Sequence, residues 1–279
     1  MKENGKLILI GAGPGDPELI TMKAVRHLQA ADVILTDRLV SRQILSDYAN
    51  DDAEIIYVGK QCRRKNSTPQ QTINELIAYH CIAGRKVVRL KGGDVSIFSN
   101  ITDELQTAIS HGIEFEIVPG ITAALGAAAY AGIPLTARGY ATSVRFVTLY
   151  KTNLLPADYW KELAATDDTL VFYMSAETLD NVIDNLLINH VDESKKLAVI
   201  EQATTPFQKV YTSKIQDYYE TLSPIQFFSP SIVIIGSVVN LQKEFAWIEN
   251  SSVEGNYFPS PVLNKIKNYQ PENLFKHAS

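Results

Sequence analysis

Two glycine-rich turns hold the residues whose types and spacing could bind a small molecule. The first has the sequence GAGPGDPEL over residues 11–19, with Asp16 as a helix N-cap and Pro17 at the first helical position. The second consists of Gly92, Gly93 and Asp94 and follows the run VVRLK. Glycines let a ligand approach the backbone closely, and a carboxylate can bind an ammonium group. Together the turns indicate a ligand with a cationic amino-acid portion, although each turn alone is also compatible with a tight strand-to-helix connection.

The first turn departs from the fingerprint of dinucleotide-binding proteins. That fingerprint needs a third glycine near position 16 and a helix that opens inside the glycine motif, whereas Pro14 and Asp16 stand here. A dinucleotide oxidoreductase, with Asp32 or Asp37 downstream of the turn, stays open as an alternative from these residues alone.

The elements that must position both turns alternate between strands and helices. Short β-branched runs predict strands at residues 7–10, 32–35, 54–58, 86–90 and 115–118. Apolar residues at helical spacing predict helices at 19–30, 69–83 and 102–110. This alternation predicts the α/β class with a mainly parallel sheet, and both glycine turns then lie at carboxyl ends of strands, where such sheets bind ligands.

The second half of the chain repeats the α/β pattern. Strands are predicted at 144–149, 169–173, 195–200, 209–212 and 231–236. A chain of 279 residues is long enough for two domains of roughly 150 residues each. We therefore predict an N-terminal α/β domain with the glycine-rich loops and a linker helix over 1–139, a C-terminal α/β domain over 140–250, and a peripheral tail over 251–279.

Composition excludes several classes of protein. A formal net charge of −5 argues against general nucleic-acid binding, which needs an excess of basic residues. The uncharged run 117–137 contains prolines and glycines and predicts a buried, alanine-rich helix rather than a membrane span. Cys62 and Cys81 are too few for a disulfide framework or a zinc site, so we expect two free thiols and no metal. No signal peptide is visible, and we expect a cytoplasmic protein without a membrane or nucleic-acid partner.

Eight strings of sequence resemble the tetrapyrrole methylases, in particular the members that methylate uroporphyrinogen III. They occur in family order over about residues 6–240. The strings are GAGPGDPELIT at 11–21, DRLVS at 37–41, VGK at 58–60, RLKGGD at 89–94, FEIVPGITAA at 115–124, YAGIPLTARG at 130–139, FYM at 172–174 and ATTP at 203–206.

The resemblance implies two α/β domains, S-adenosylmethionine (SAM) in the cleft between them, and a homodimer. It implies C-methylation of uroporphyrinogen III to precorrin-2, with S-adenosylhomocysteine as the second product. By family position, Asp37 is the proton acceptor and Lys60 the proton donor. The positions implied to contact SAM are Pro14, Gly92, Gly93, Asp94, Ile97, Thr122, Ala123, Met174 and Ala203.

The implied chemistry suits these residue types. The methyl group of a sulfonium is already activated, so the protein must mainly align an electron-rich pyrrole carbon behind it and exclude water. A carboxylate such as Asp37 can accept the proton that the ring then loses, and Lys60 could equally steer a substrate carboxylate.

A polycarboxylate substrate requires a local basic lining in an acidic chain. We expect Arg38, Glu104 and Arg138 to bind the substrate, with Arg138 favoured among the basic residues because its planar fork suits carboxylates. Further basic candidates are Arg63, Arg64, Lys65 and Arg145.

The largest departure from the family lies after the second glycine turn. The family usually continues with PFVFGRGGEE, whereas residues 95–104 read VSIFSNITDE, so that Asn100 replaces the family's arginine and three glycines are absent. Two alternatives stay open because of this loop: methylation of a later precorrin, and a SAM-binding homologue with lost or altered catalysis.

Overall fold

A computed structural model describes residues 4–59, 68–149 and 155–258. Lys60, Cys62 and the basic run at 63–65 lie outside the described residues, as does most of the predicted tail. Contacts divide the chain into two compact units, of which the first comprises the described residues up to Thr122 together with Phe258, and the second comprises Ala123–Tyr257.

The first unit contains a five-stranded parallel sheet with helices on both faces. Its strands are β1 (Lys6–Gly11), β2 (Val33–Thr36), β3 (Glu54–Tyr57), β4 (Val87–Lys91) and β5 (Glu114–Val118), in the order β3-β2-β4-β1-β5. Its helices are α1 (Met22–Gln29), α2 (Arg42–Tyr48), α3 (Gln70–Ile82) and α4 (Thr102–Ser110). The predicted parallel sheet is confirmed. The predicted first helix begins later, at Met22 with Thr21 as its N-cap, because Asp16 and Pro17 open a separate 3-10 turn.

Alternation along the strands decides which helices cover which face. On β1, Ile8 and Ile10 pack in the cluster that contains α1 and α2, whereas Leu7 and Leu9 pack in the cluster that contains α3 and α4. The connection from β1 to β2 therefore crosses one face, and the connection from β4 to β5 crosses the other. The crossing direction reverses between the neighbouring strands β1 and β4, which is where open α/β sheets bind ligands.

The second unit contains a mixed five-stranded sheet. Its strands are β6 (Val144–Thr148), β7 (Thr169–Tyr173), β8 (Lys196–Glu201), β9 (Lys209–Lys214) and β10 (Ser231–Gly236), in the order β6-β7-β10-β8-β9. Only β6 and β7 pair in parallel, because a short antiparallel connection joins β8 to β9 and β10 returns between β7 and β8. Its helices are α5 (Ala123–Ala131), α6 (Ala157–Ala165), α7 (Leu179–Ile188), α8 (Tyr218–Thr221) and α9 (Gln242–Phe245).

The uncharged run 117–137 contains a strand end and a helix. Helix α5 buries five of its small residues, as expected for an alanine-rich helix between two turns. None of the helices in the described ranges has the length and apolar character needed to cross a membrane. The contact division places α5 in the second unit, whereas the sequence analysis placed it before a boundary at Gly139. The predicted domain limits stay a prediction.

Candidate functional site

The two glycine turns of the first unit are joined backbone to backbone. Ala12 donates its amide hydrogen to the Lys91 carbonyl at 2.7 Å. Gly13 and Gly93 then exchange two hydrogen bonds, of 3.1 Å and 2.7 Å, and form a short antiparallel bridge beyond the ends of β1 and β4. The sequence therefore placed both turns correctly at one edge of the sheet, and the structure brings them into direct contact.

This contact leaves no room for side chains. A Cβ atom on Gly11 would lie 2.7 Å from both the Gly93 carbonyl oxygen and the Gly120 amide nitrogen. A Cβ atom on Gly92 would lie 2.8 Å from the carbonyl oxygen of Leu39. Since these neighbours are backbone atoms, no rotamer change can relieve the overlap. The loops after β1, β2, β4 and β5 therefore pack closely at their glycines, and we call this meeting point the glycine crossing.

Asp94 fastens the glycine crossing. One carboxylate oxygen accepts the Ser96 amide at 2.8 Å and the Ser96 hydroxyl, and the other accepts the Gly120 amide at 2.9 Å. Burial alone would raise the pKa of Asp94, but the hydrogen bonds from Ser96 and Gly120 outweigh it and lower that pKa below its ordinary value. The carboxylate is thus already used to tie the loop after β4 to the loop after β5. Its predicted contact with SAM stays a prediction.

The rewritten loop at 95–104 keeps an unusual backbone. Phe98 and Asn100 have positive φ angles, of 51° and 53°, and the family also has side chains rather than glycines at these two positions. The family's glycines fall at Ser99, Ile101 and Thr102, none of which has a positive φ here. The absent glycines therefore do not conflict with the loop that this chain adopts.

Asp37, the predicted proton acceptor, lies directly after β2 and next to a buried ion cluster. Its Oδ1 atom accepts a hydrogen bond of 2.6 Å from Arg89 Nη2, and its side chain is 25% exposed. Arg89 Nε donates to Glu104 Oε1 at 2.9 Å, and Lys91 Nζ lies 3.1 Å from the same oxygen. Asp37, Arg89, Lys91 and Glu104 form what we call the Arg89 cluster.

Burial and charge act in opposite directions inside the Arg89 cluster. Burial tends to lower the pKa of Arg89, but the carboxylates of Asp37 and Glu104 raise it above its ordinary value. Burial and the nearby charge of Arg89 lower the pKa of Lys91, against the opposing effect of Glu104. With two cations and two carboxylates, the cluster is balanced when all four groups are ionised.

Glu104, predicted to bind the substrate, is completely buried. Both of its oxygens accept hydrogen bonds from Lys91, and one also accepts from Arg89. The enclosed carboxylate has no surface to offer a substrate in this structure. Arg89 and Lys91 were not among the predicted site residues. Two cations at alternate positions of an otherwise apolar strand nevertheless indicate that a carboxylate is buried beside them.

Apart from Ala123, the remaining SAM-contact predictions lie in irregular backbone. In the first unit, Pro14 and Thr122 are buried and Ile97 is half-buried. In the second unit, Ala123 begins α5, and Met174 follows β7 with a φ of 56° and an exposed side chain. Ala203 follows β8 between Gln202 and Thr204, which both have positive φ. Such backbone in residues other than glycine is concentrated at functional sites.

The basic candidates differ in their surroundings. Arg38 is half-buried in the loop after β2, and Arg138 is exposed beside Gly139. Arg145 lies near the amino end of β6 and forms ion pairs with Asp168 and Glu162. The expectation that Arg145 contributes to a basic lining is therefore not supported, because its guanidinium is occupied at the amino ends of parallel strands.

Comparison with known proteins places the chain in a family. The family described as Tetrapyrrole (Corrin/Porphyrin) Methylases matches residues 6–218. The chain belongs to the tetrapyrrole methylases. The expected family membership and the expected α/β fold with two sheets are thereby confirmed.

Curated relatives match most of this chain along about half of their own length. A siroheme synthase of Acinetobacter baylyi is 44% identical over 244 residues, which are 88% of this chain and 53% of that protein. A siroheme synthase of Pseudomonas putida is 44% identical over 254 residues, or 90% of this chain and 54% of that protein. The chain thus spans about half the length of these curated relatives.

Solved structures of the family have the same fold. A uroporphyrin-III C-methyltransferase of Thermus thermophilus complexed with S-adenosylhomocysteine is 34% identical, with a TM-score of 0.72, and the match covers 85% of this chain and all of that one. A cobalt-precorrin-4 methyltransferase of cobalamin biosynthesis is 25% identical, with a TM-score of 0.74 and coverage of 84% and 95%. Solved structures with this fold therefore include methyltransferases named for different tetrapyrroles.

Proposed function

We propose that the chain is a SAM-dependent C-methyltransferase that converts uroporphyrinogen III to precorrin-2 on the way to sirohaem and cobalamin. The observation that carries this proposal is the placement of Asp37: its loop packs on the glycine crossing, where a Cβ of Gly92 would touch the backbone of Leu39. A partly exposed carboxylate thus lies beside the half-buried Gly92 and Gly93, whose backbone a ligand can approach closely. The names of the relatives and of the fully covered Thermus structure supply the substrate class.

The residues present fit SAM as the methyl donor. Gly92 and Gly93 are half-buried and carry no side chain, so a ligand can approach their backbone closely. When bound, SAM supplies an activated methyl group on a cationic sulfur. We propose the nine predicted contact residues as its binding positions: Pro14, Gly92, Gly93, Asp94, Ile97, Thr122, Ala123, Met174 and Ala203. The predicted position of SAM between two domains stays a prediction.

The chain's own residues orient the substrate and move one proton. As the pyrrole carbon forms a bond to the methyl carbon, the bond from methyl carbon to sulfur breaks and the ring becomes cationic. Asp37 then accepts the proton that the ring loses, which restores a neutral ring. By family position we propose Lys60 as proton donor; the methyl-transfer step itself consumes no proton, and there Lys60 steers a substrate carboxylate together with Arg38 and Arg138. Glu104 is completely buried and does not touch the substrate in this proposal.

We also propose a homodimer that works in the cytoplasm without a nucleic-acid or membrane partner. The proposal rests on the family resemblance and on the acidic composition. Light scattering at working concentration checks the dimer, and a monomer would remove it.

A second candidate function is methylation of a later precorrin. The observation that favours it is the loop at 95–104, where Asn100 stands in place of the family's arginine. Losing one charged contact to a polyanion weakens its binding by about 1–3 kcal/mol. The altered loop therefore bears on the identity of the substrate more than on that of the methyl donor. The same loop motivates the reading as a SAM-binding homologue without catalysis, although Asp37 and Lys60 are retained.

The test is transfer of labelled methyl groups from SAM to uroporphyrinogen III under anaerobic conditions. We expect labelled tetrapyrrole with the unmodified chain. We expect Asp37→Asn to lower turnover by about 100-fold or more, because general-base catalysis contributes 10²–10⁴-fold, while the affinity for S-adenosylhomocysteine stays near normal. Equal turnover in Asp37→Asn would exclude the base role, and label in a later precorrin alone would favour the second candidate.

A further inference from the structure

Arg89 has no role in the function proposed so far, although it makes the most contacts in its cluster. Arg89 and Lys91 are two residues apart on β4, so their side chains leave the same face of the sheet, toward α4 and Glu104. The Arg89 side chain is 2% exposed. Burying a guanidinium is unfavourable unless every donor finds an acceptor, so the use of each nitrogen indicates what the residue does.

All three nitrogens of Arg89 are engaged. Nη1 donates to the backbone carbonyls of Leu35 and Leu90, both at 3.2 Å. Nε donates to Glu104 at 2.9 Å, and Nη2 donates to Asp37 at 2.6 Å. The two carbonyls belong to neighbouring strands of the sheet, so the guanidinium is held in one plane by rigid backbone. A planar donor fixed in this way transmits its orientation to the carboxylate it binds.

Within the described ranges, the Asp37 carboxylate is held through one of its two oxygens. Arg89 fixes Oδ1, and no hydrogen bond reaches Oδ2 from the residues that the structure describes. With a quarter of its side chain exposed, Asp37 has one oxygen anchored and the other available to a proton from a ligand. We infer that Arg89 is a positioning residue for methyl transfer, which fixes Asp37 so that Oδ2 can accept the proton of the substrate ring. This inference rests on the proposed function.

The ion pair between Lys91 and Glu104 lets an effect on Asp37 be distinguished from an effect on the charge of Glu104. Glu104 keeps Lys91 at 3.1 Å and 3.2 Å if Arg89 is removed, so the fully buried carboxylate stays paired. Asp37, by contrast, loses the only side-chain donor that it has among the described residues. Loss of Arg89 therefore acts mainly on the orientation of Asp37.

The experiment measures kcat, KM for uroporphyrinogen III and the Kd of S-adenosylhomocysteine in five variants of the full chain. These are Arg89→Met, Arg89→Lys, Asp37→Asn, the double variant Asp37→Asn/Arg89→Met, and Arg85→Met. Arg85→Met is the matched control, because Arg85 pairs with the exposed Glu54 before β4 begins and contacts no member of the Arg89 cluster. Arg89→Lys keeps the buried positive charge and provides the test if Arg89→Met does not fold.

We expect Arg89→Met to lower kcat by about 10- to 100-fold, the range for a misplaced catalytic group, while KM and Kd change by less than about threefold. Arg89→Lys should recover part of kcat, since an ammonium can reach one carboxylate but cannot reproduce the planar fork. In the Asp37→Asn background, Arg89→Met should cost nothing further, because residues that act as a unit are not additive. Arg85→Met should leave all three constants unchanged.

Two results would overturn the inference while the proposed function stands. One is wild-type turnover in Arg89→Lys together with unchanged kcat in Arg89→Met. The other is full additivity of Arg89→Met and Asp37→Asn in kcat, which is the result expected of a merely structural residue. If the unmodified chain itself transfers no methyl group to uroporphyrinogen III, the proposed function fails, and the role of Arg89 in that reaction fails with it.

Discussion

Replacing Gly11 by alanine tests whether the glycine crossing binds the methyl donor. The new Cβ would lie 2.7 Å from the Gly93 oxygen and the Gly120 nitrogen, about 0.7 Å closer than ordinary contact, and only backbone could move to relieve it. Overpacking of this kind costs about 1–3 kcal/mol in stability. If the loops separate to accommodate the methyl group, backbone contacts to the ligand are lost with them. We expect the affinity for S-adenosylhomocysteine to fall by about 10- to 30-fold, equivalent to about 1.4–2 kcal/mol.

The assay combines urea denaturation with calorimetric titration of S-adenosylhomocysteine. Gly112→Ala is the matched control in the same unit: its φ of 62° makes alanine strained, but no atom lies within 4 Å of the added Cβ. We expect that variant to lose about 1–2 kcal/mol of stability and no affinity for the ligand. A Gly11→Ala variant that binds the ligand as tightly as the unmodified chain would refute the assignment of the crossing to the methyl donor.

Three further predictions concern stability and reactivity. Asp94→Asn should reduce the free energy of unfolding by about 1–2 kcal/mol at neutral pH. Because the fold lowers the pKa of Asp94, this stability difference should be complete above pH 3.8 and should disappear as the pH falls further. Urea denaturation at a series of pH values measures it. Cys81 is buried and its pKa is raised to about 12, so its peptide should resist iodoacetamide until urea is added, as mass spectrometry would reveal; rapid labelling would contradict its burial. Tyr173→Phe removes the hydroxyl that accepts the Ala124 amide at 3.1 Å and should cost about 1–3 kcal/mol, and an unchanged urea midpoint would argue against that bond.

Local sequence patterns predicted most of the elements. The strands at 169–173 and 231–236 and the helix at 102–110 match the observed elements at both ends. Helices α2, α6, α7, α8 and α9 were missed. Strand direction in the second sheet also escaped prediction, because it depends on how β10 inserts between β7 and β8, a long-range pairing that no local period encodes.

Motifs located the candidate site better than they assigned its members. The glycine turns were selected from their residue types at strand ends, whereas Asp37 was selected by its position in the family resemblance. Glu104 was assigned to the substrate, but its burial follows from the inward position it takes on α4, which only the packing against Arg89 and Lys91 determines. Asp94 was assigned to an ammonium group, but in the structure its carboxylate joins the loop after β4 to the loop after β5.

The product of the reaction tests the proposed function most directly. Purified protein is incubated anaerobically with uroporphyrinogen III and SAM, and the product mass is measured together with its absorbance after oxidation. We predict a product that carries two added methyl groups, which would also demonstrate that Asn100 can stand where the family has arginine. Unchanged uroporphyrinogen III, with S-adenosylhomocysteine still bound tightly in the calorimeter, would contradict the proposed substrate.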